Sequence, residues 1–212
     1  GWFRFAPTSP GTCNDTFGTR APASLGAPLG AGSSAVPFSQ SLTGLVSGTT
    51  YYFCAIAQSA VGMSVGTVLS FTTPGAPQVT TTAATLVAGS AATLNGSANP
   101  SSSPTNGWFR FASTHHSTCD DAFGTRAPAS NGTPLGSGTS AATFSQALTG
   151  LSGSTTYYFC AIASNAIGTR FGSVLSFTTA AVPTVTTSLA TSVTGIGATL
   201  NGAATPNNSA AS

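Results

Sequence analysis

The chain has 212 residues, and only 4% of them are charged: five Arg and three Asp, with no Lys or Glu, for a formal net charge of +2. Soluble domains ordinarily carry about a quarter charged residues; here Ser and Thr supply the polar surface, at about three residues in ten. Five dispersed arginines form no phosphate-binding stripe, which argues against nucleic acid as a partner. No apolar run nears the about 20 residues of a membrane-spanning helix, so no transmembrane segment is expected.

A shift of 106 positions lays the chain on itself without a gap, Gly1 on Gly107, Cys13 on Cys119, Tyr51 on Tyr157 and Leu94 on Leu200, with about three positions in five identical. Self-similarity at a fixed period marks an array of one module. The expectation is a window from a longer repetitive chain, or a protomer of an assembly. A nearly neutral surface leaves little repulsion between copies, which suits self-association.

From the N-terminus, the aromatic run Trp2 to Phe5 is a predicted strand whose alternate residues face opposite sides of a sheet. A segment from Cys13 to Pro22 follows, returning as Cys119 to Pro128 with two changes. Cys13 pairs by spacing with Cys54, and Cys119 with Cys160, both 41 positions apart. That reads as one disulfide per repeat in an oxidising compartment, the alternative being reduced buried thiols. In the unbroken central stretch, strands are expected at Gln78 to Thr82, Ala91 to Ala98, Trp108 to Ala112, Ala142 to Ala147, Thr156 to Ala163 and Gly172 to Thr179. Turns are expected at Asn99-Pro100, Asn131-Gly132, Gly150 and Asn165 to Gly168. Short β-branched and aromatic runs between breakers, with no helical period, predict an all-β sandwich.

Leu148-Thr149-Gly150-Leu151, then Thr155 to Phe159, Ala161-Ile162-Ala163, Asn165 to Gly168 and Gly172 to Thr179, resembles the second half of a bacterial fibronectin type III-like repeat. Pro77-x-Val79, Ala92 to Gly96 and Trp108 to Phe111 resemble its strands A, B and C. The resemblance implies tandem Ig-like β-sandwiches and a tyrosine corner at Tyr51 and Tyr157, each hydroxyl bonded back to the main chain. The chain departs from the pattern at Cys160 and in the long segment Ser113 to Gly138, which the disulfide is expected to tie to strand F. On this reading 77–180 is a complete module, 1–75 a partial one with strands C to G, and 183–212 a partial one with strands A and B. The terminal strands either belong to a longer chain or complete a neighbouring module by donor-strand exchange.

The remaining constellations point away from catalysis, and no cofactor is expected. His115-His116 is a candidate metal pair without further acidic or histidine support, weighed against a solvated loop. An Asp15–Arg20 ion pair, copied as Asp121–Arg126, is expected in the segment after the first strand. Trp2, Tyr52 and Ile56, with Trp108, Tyr158 and Ile162, are expected to form an exposed stripe for packing between modules, its alternative being stacking on sugar rings. Asn14, Asn95, Asn131 and Asn207 stand in glycosylation sequons, so a glycan is an additional expected partner. The function these features predict is a secreted structural segment of an extracellular fibre, sheath or surface filament whose partner is itself. The alternative is an adhesin stalk, or carbohydrate-binding or spacer repeats of a larger secreted protein.

Overall fold

A computed structural model describes residues 1–207 as all-β, with sixteen strands and no helix. Two compact units divide between Gly75 and Ala76.

The second unit contains a two-sheet Ig-like sandwich. One sheet is built from β6 (Gln78–Thr85), β7 (Ala91–Asn99) and β11 (Ala142–Thr149), in the order β11-β7-β6. The other holds β8 (Thr105–Ala112), β9 (Thr125–Ala127), β10 (Thr133–Gly136), β12 (Thr156–Asn165), β13 (Gly168–Phe171) and β14 (Leu175–Thr178). Here β12 is central, with β8 on one side and β13 and β14 on the other, while β9 and β10 extend β8. Strict alternation along β7 sends Ala92, Leu94, Gly96 and Ala98 inward, as the two-residue period of a strand dictates. They meet Phe109, Phe144, Leu148, Phe159, Ala161 and Phe177 in one buried cluster. The rings tile the core: Phe109 lies 4.9 Å from Phe144, and Tyr157 stacks on Phe177 at 5.6 Å. Burying Leu94 alone contributes about 2 kcal/mol of transfer free energy. Gly96 is obligatory where the sheets approach most closely, since a Cβ there would sit 2.8 Å from the Ala161 methyl.

Of the strand expected over Gly172 to Thr179 only Leu175–Thr178 forms, as β14; β13 precedes it, and Gly172 lies at the break between the two. At the break Gly172 donates its N–H to Ala161 O at 2.8 Å, leaving the Ala161 N–H to find another acceptor. Thr81 of β6 supplies it, its Oγ1 accepting that buried amide at 3.0 Å. A Cβ on Gly172 would collide with the same threonine hydroxyl. The short strands β9, β10 and β13 were not expected from sequence; at three or four residues each they are too brief to show a period.

The first unit carries β1 (Trp2–Ala6), β2 (Thr19–Ala21), β3 (Thr50–Gln58), β4 (Met63–Val65) and β5 (Leu69–Thr72) in a single five-stranded sheet. Its registers are those of the second unit displaced by 106: Trp2 opposite Ile56 as Trp108 is opposite Ile162, and Tyr51 opposite Phe71 as Tyr157 is opposite Phe177. Among the described residues of 1–75 this is the one sheet. Residues 36–43, the equivalents of β11, form no strand. The last two strands, β15 (Thr184–Thr191) and β16 (Thr199–Thr205), pair only with each other.

Candidate assembly surfaces

The segment after β1 in the first unit, and after β8 in the second, folds back over the outer face of its own sheet. The disulfides Cys13–Cys54 and Cys119–Cys160 pin it, each with Cα atoms 6.0 Å apart. Beneath the second, Trp108, Phe123, Cys160 and Ile162 make a small core separate from the one between the sheets. One carboxylate locks each segment. In the first unit Asp15 Oδ1 accepts from the Trp2 indole N–H at 2.8 Å and from Arg4 Nε at 3.0 Å; Asp121 does the same with Trp108 at 2.9 Å and Arg110 at 3.0 Å. The indole hydrogen bond and then the Arg4 guanidinium hold the Asp15 carboxyl below the ordinary carboxylate range. Gly18 and Gly124 let the segment turn tightly against β1 and β8: both have φ +47°, and a side chain there would run into the carbonyl of Phe5 or Phe111.

The ion pair differs from the expected one. Asp15 and Asp121 bind Arg4 and Arg110, which project from β1 and β8 on the same face as the tryptophans. Arg20 and Arg126 instead lie over the Trp2 and Trp108 rings at 4.6 and 4.7 Å and donate to the carbonyls of Pro22 and Pro128. The order along each cluster is therefore Asp, indole, guanidinium stack. Its signal in the sequence was Trp and Arg two residues apart, which share a strand face, with an Asp brought above them by the cysteine.

The expected exposed packing stripe is corrected by this lid. Trp2, Tyr52, Ile56, Trp108, Tyr158 and Ile162 lie on the face that the lid covers. Of these, Trp2, Ile56, Trp108 and Ile162 are buried, and Tyr52 and Tyr158 are half-buried. The physical reason is that a long segment tied to the middle of the central strand covers the face that spacing alone left open. His115 meets the Tyr158 ring edge-on with ring centres 4.8 Å apart, and His116 lies 4.4 Å from Phe123, so the pair helps close the lid. Tyr51 and Tyr157 sit at equivalent corners, each Oη accepting from the main-chain N–H five residues upstream, Val46 and Ser152, at 3.0 Å. Of the sequon residues, Asn95 spends its amide on Ala83 O and Thr85 Oγ1, and Asn201 repeats these bonds with Leu189 and Thr191.

Two other apolar surfaces are exposed, on the two segments that the sequence reading takes as partial modules. The inner face of the first unit is a cleft of about 420 Å³ lined by Phe3, Phe5, Phe38, Leu42, Phe53 and Phe71. Phe71 is 36% exposed where its equivalent Phe177 is 8% exposed, and Phe53 is half-buried where Phe159 is fully buried. The second surface is the β15–β16 hairpin, on which Leu200 is 87% exposed, against 0% for its equivalent Leu94. Val185 and Leu189 on the same hairpin are also exposed.

No protein-family model and no curated protein sequence matches the chain. Among solved structures, it is similar over 50% of its length to the sensor domain of the anti-sigma factor RsgI4 of Pseudobacteroides cellulosolvens, at 16% identity and TM-score 0.36, covering 95% of that chain. A longer form of that sensor domain matches at 15% identity and TM-score 0.31, over 53% of this chain and 98% of the other. Domains A168 to A170 of titin match at 17% identity and TM-score 0.28, over 62% of this chain and 41% of theirs. The chain is all-β.

Proposed function

We propose that this chain is a structural segment of an extracellular fibre, sheath or surface filament, built from tandem fibronectin type III-like sandwiches. The observation that carries this reading is the outer lid, built on the same Cys, Asp, Phe and Gly positions in both units. The segment that departs most from the family pattern is pinned by a disulfide, a Trp–Asp–Arg cluster and a buried Phe onto its own sheet. A loop kept for a ligand presents its side chains outward; these are spent on stiffening the module. The disulfides favour an oxidising, extracellular setting. A surface of hydroxyls with almost no charge favours contacts between copies.

The test is electron microscopy of the native material, together with its mass in denaturant with reductant. Ordered fibres are the expected result. A dispersed, extended, monomeric molecule linked to a separate binding or catalytic domain would replace this reading with the stalk or spacer reading.

A further inference from the structure

We infer that the β15–β16 hairpin of one copy of this chain docks into the open cleft of the first unit of another copy, laying a second sheet over it and joining copies head to tail. The inference rests on the structural reading above and deepens it by naming the contact.

The second unit specifies the occupant. There the equivalents of the cleft residues are buried beneath the inward stripe of β7: Ala92, Leu94, Gly96 and Ala98. Displaced by 106, that stripe is Ala198, Leu200, Gly202 and Ala204, on a hairpin that leaves Leu200 in solvent. The hairpin also has the register of its covered counterpart. Val185 pairs with Ala204, Thr187 with Gly202 and Ser188 with Asn201, as Val79 does with Ala98, Thr81 with Gly96 and Thr82 with Asn95, including the same irregularity before the last pair. It is thus preformed, and docking would not have to offset the entropy of ordering a loose segment.

Three further details match. A Cβ on Gly96 would sit 2.8 Å from the Ala161 methyl, so β7 needs glycine to pass there, and the hairpin again has glycine, Gly202, to pass over Ala55. Thr81 accepts the Ala161 N–H, and Thr187 is placed to accept the Ala55 N–H in the same way. Finally, β11 is a strand because β7 pairs with it from Ala142 to Thr149. Residues 36–43 hold the same aromatic contact, Phe3 to Phe38 at 4.9 Å, yet form no strand. Transposing the β11–β7 register sets Phe38 opposite Gly202 and Ser41 opposite Thr199, so the docked β16 gives this segment its ladder partner.

The experiment uses the full chain with its two disulfides in two variants that each add one cysteine, Ser41→Cys and Thr199→Cys, one tagged so that mixed dimers separate by mass. The two positions are transposed from Ala147 and Thr93, which face away from the core, so the thiols do not disturb it. Mild oxidation is expected to give a mixed dimer, whereas Ala203→Cys, four positions along β16, is expected to give none with Ser41→Cys. Leu200→Ala is expected to weaken self-association in sedimentation on the order of 100-fold, the effect of deleting a buried leucine side chain. It should leave the circular dichroism of the dilute chain unchanged, because Leu200 is exposed there. A chain that stays monomeric at its highest soluble concentration, cross-linking that ignores register, or self-association indifferent to Leu200→Ala would each overturn the inference. The two readings fail separately. Native fibres made of one long covalent array, without the Ser41–Thr199 cross-link, overturn head-to-tail docking and leave the structural role intact. The register-specific cross-link without native fibres does the reverse.

Discussion

Replacing Cys119 and Cys160 together by Ala tests what holds the lid of the second unit. The bridge closes a loop with a sequence separation of 41, for which chain entropy contributes about 4 kcal/mol. The other attachments are weaker. The Arg110–Asp121 pair is half-exposed on the acid side and contributes little by itself. Phe123 is buried, but only while the lid stays down. The double variant should therefore lose most of that 4 kcal/mol. With a urea slope of about 2 kcal/mol/M for a module of this size, the unfolding midpoint should fall by about 2 M. The chain has two Trp, one per unit, so Trp108 fluorescence in a Trp2→Phe background reports the second unit alone. A midpoint shift under about 0.5 M, which is about 1 kcal/mol at that slope, would refute the entropic account. The Trp–Asp–Arg cluster and Phe123 would then hold the lid without the disulfide.

Leu94→Ala should destabilise the second unit by about 3–5 kcal/mol in urea titration, while Leu200→Ala in the dilute monomer should stay within about 0.5 kcal/mol of the parent. Equal effects would mean that the hairpin is already covered in the single chain. Thr81→Val removes the acceptor of the buried Ala161 N–H and should cost about 1–3 kcal/mol, with faster hydrogen exchange at that amide; unchanged exchange would assign the amide another partner. Asp15 has its folded pKa depressed below the ordinary value of 3.8, so its contribution is complete above that value and is lost as pH falls through the lowered one. Acid unfolding of the first unit, followed by Trp2 fluorescence in a Trp108→Phe background, should show this limb, and Asp15→Asn should abolish it; an acid limb that survives Asp15→Asn would have another source.

Much of the module was legible in the residues because its determinants are local or periodic. Alternation along Ala91 to Ala98 places Leu94 inward wherever that strand lies in a sheet. A cysteine spacing that recurs at 41 needs only counting, and the side of the sheet taken by Tyr158 and Ile162 followed from parity with Tyr157. The carboxylate's partner did not follow, because Arg20 and Arg4 are both near Asp15 in sequence. The choice depends on which arginine projects from the same strand face as the indole.

The exposure of the outer stripe was likewise decided by tertiary structure, since coverage depends on where a distant cysteine draws the loop. The clearest case is the segment of 36–43 against Ala142–Thr149. Phe-Ser-Gln and Leu-Thr recur in both, yet only the second is a strand, because β7 lies beside it. A ladder is a property of two segments: each backbone N–H and C=O needs a partner from elsewhere in the chain or from another chain. Sequence determined which residues could enter the sandwich, and the presence or absence of the opposing sheet decided which of them did.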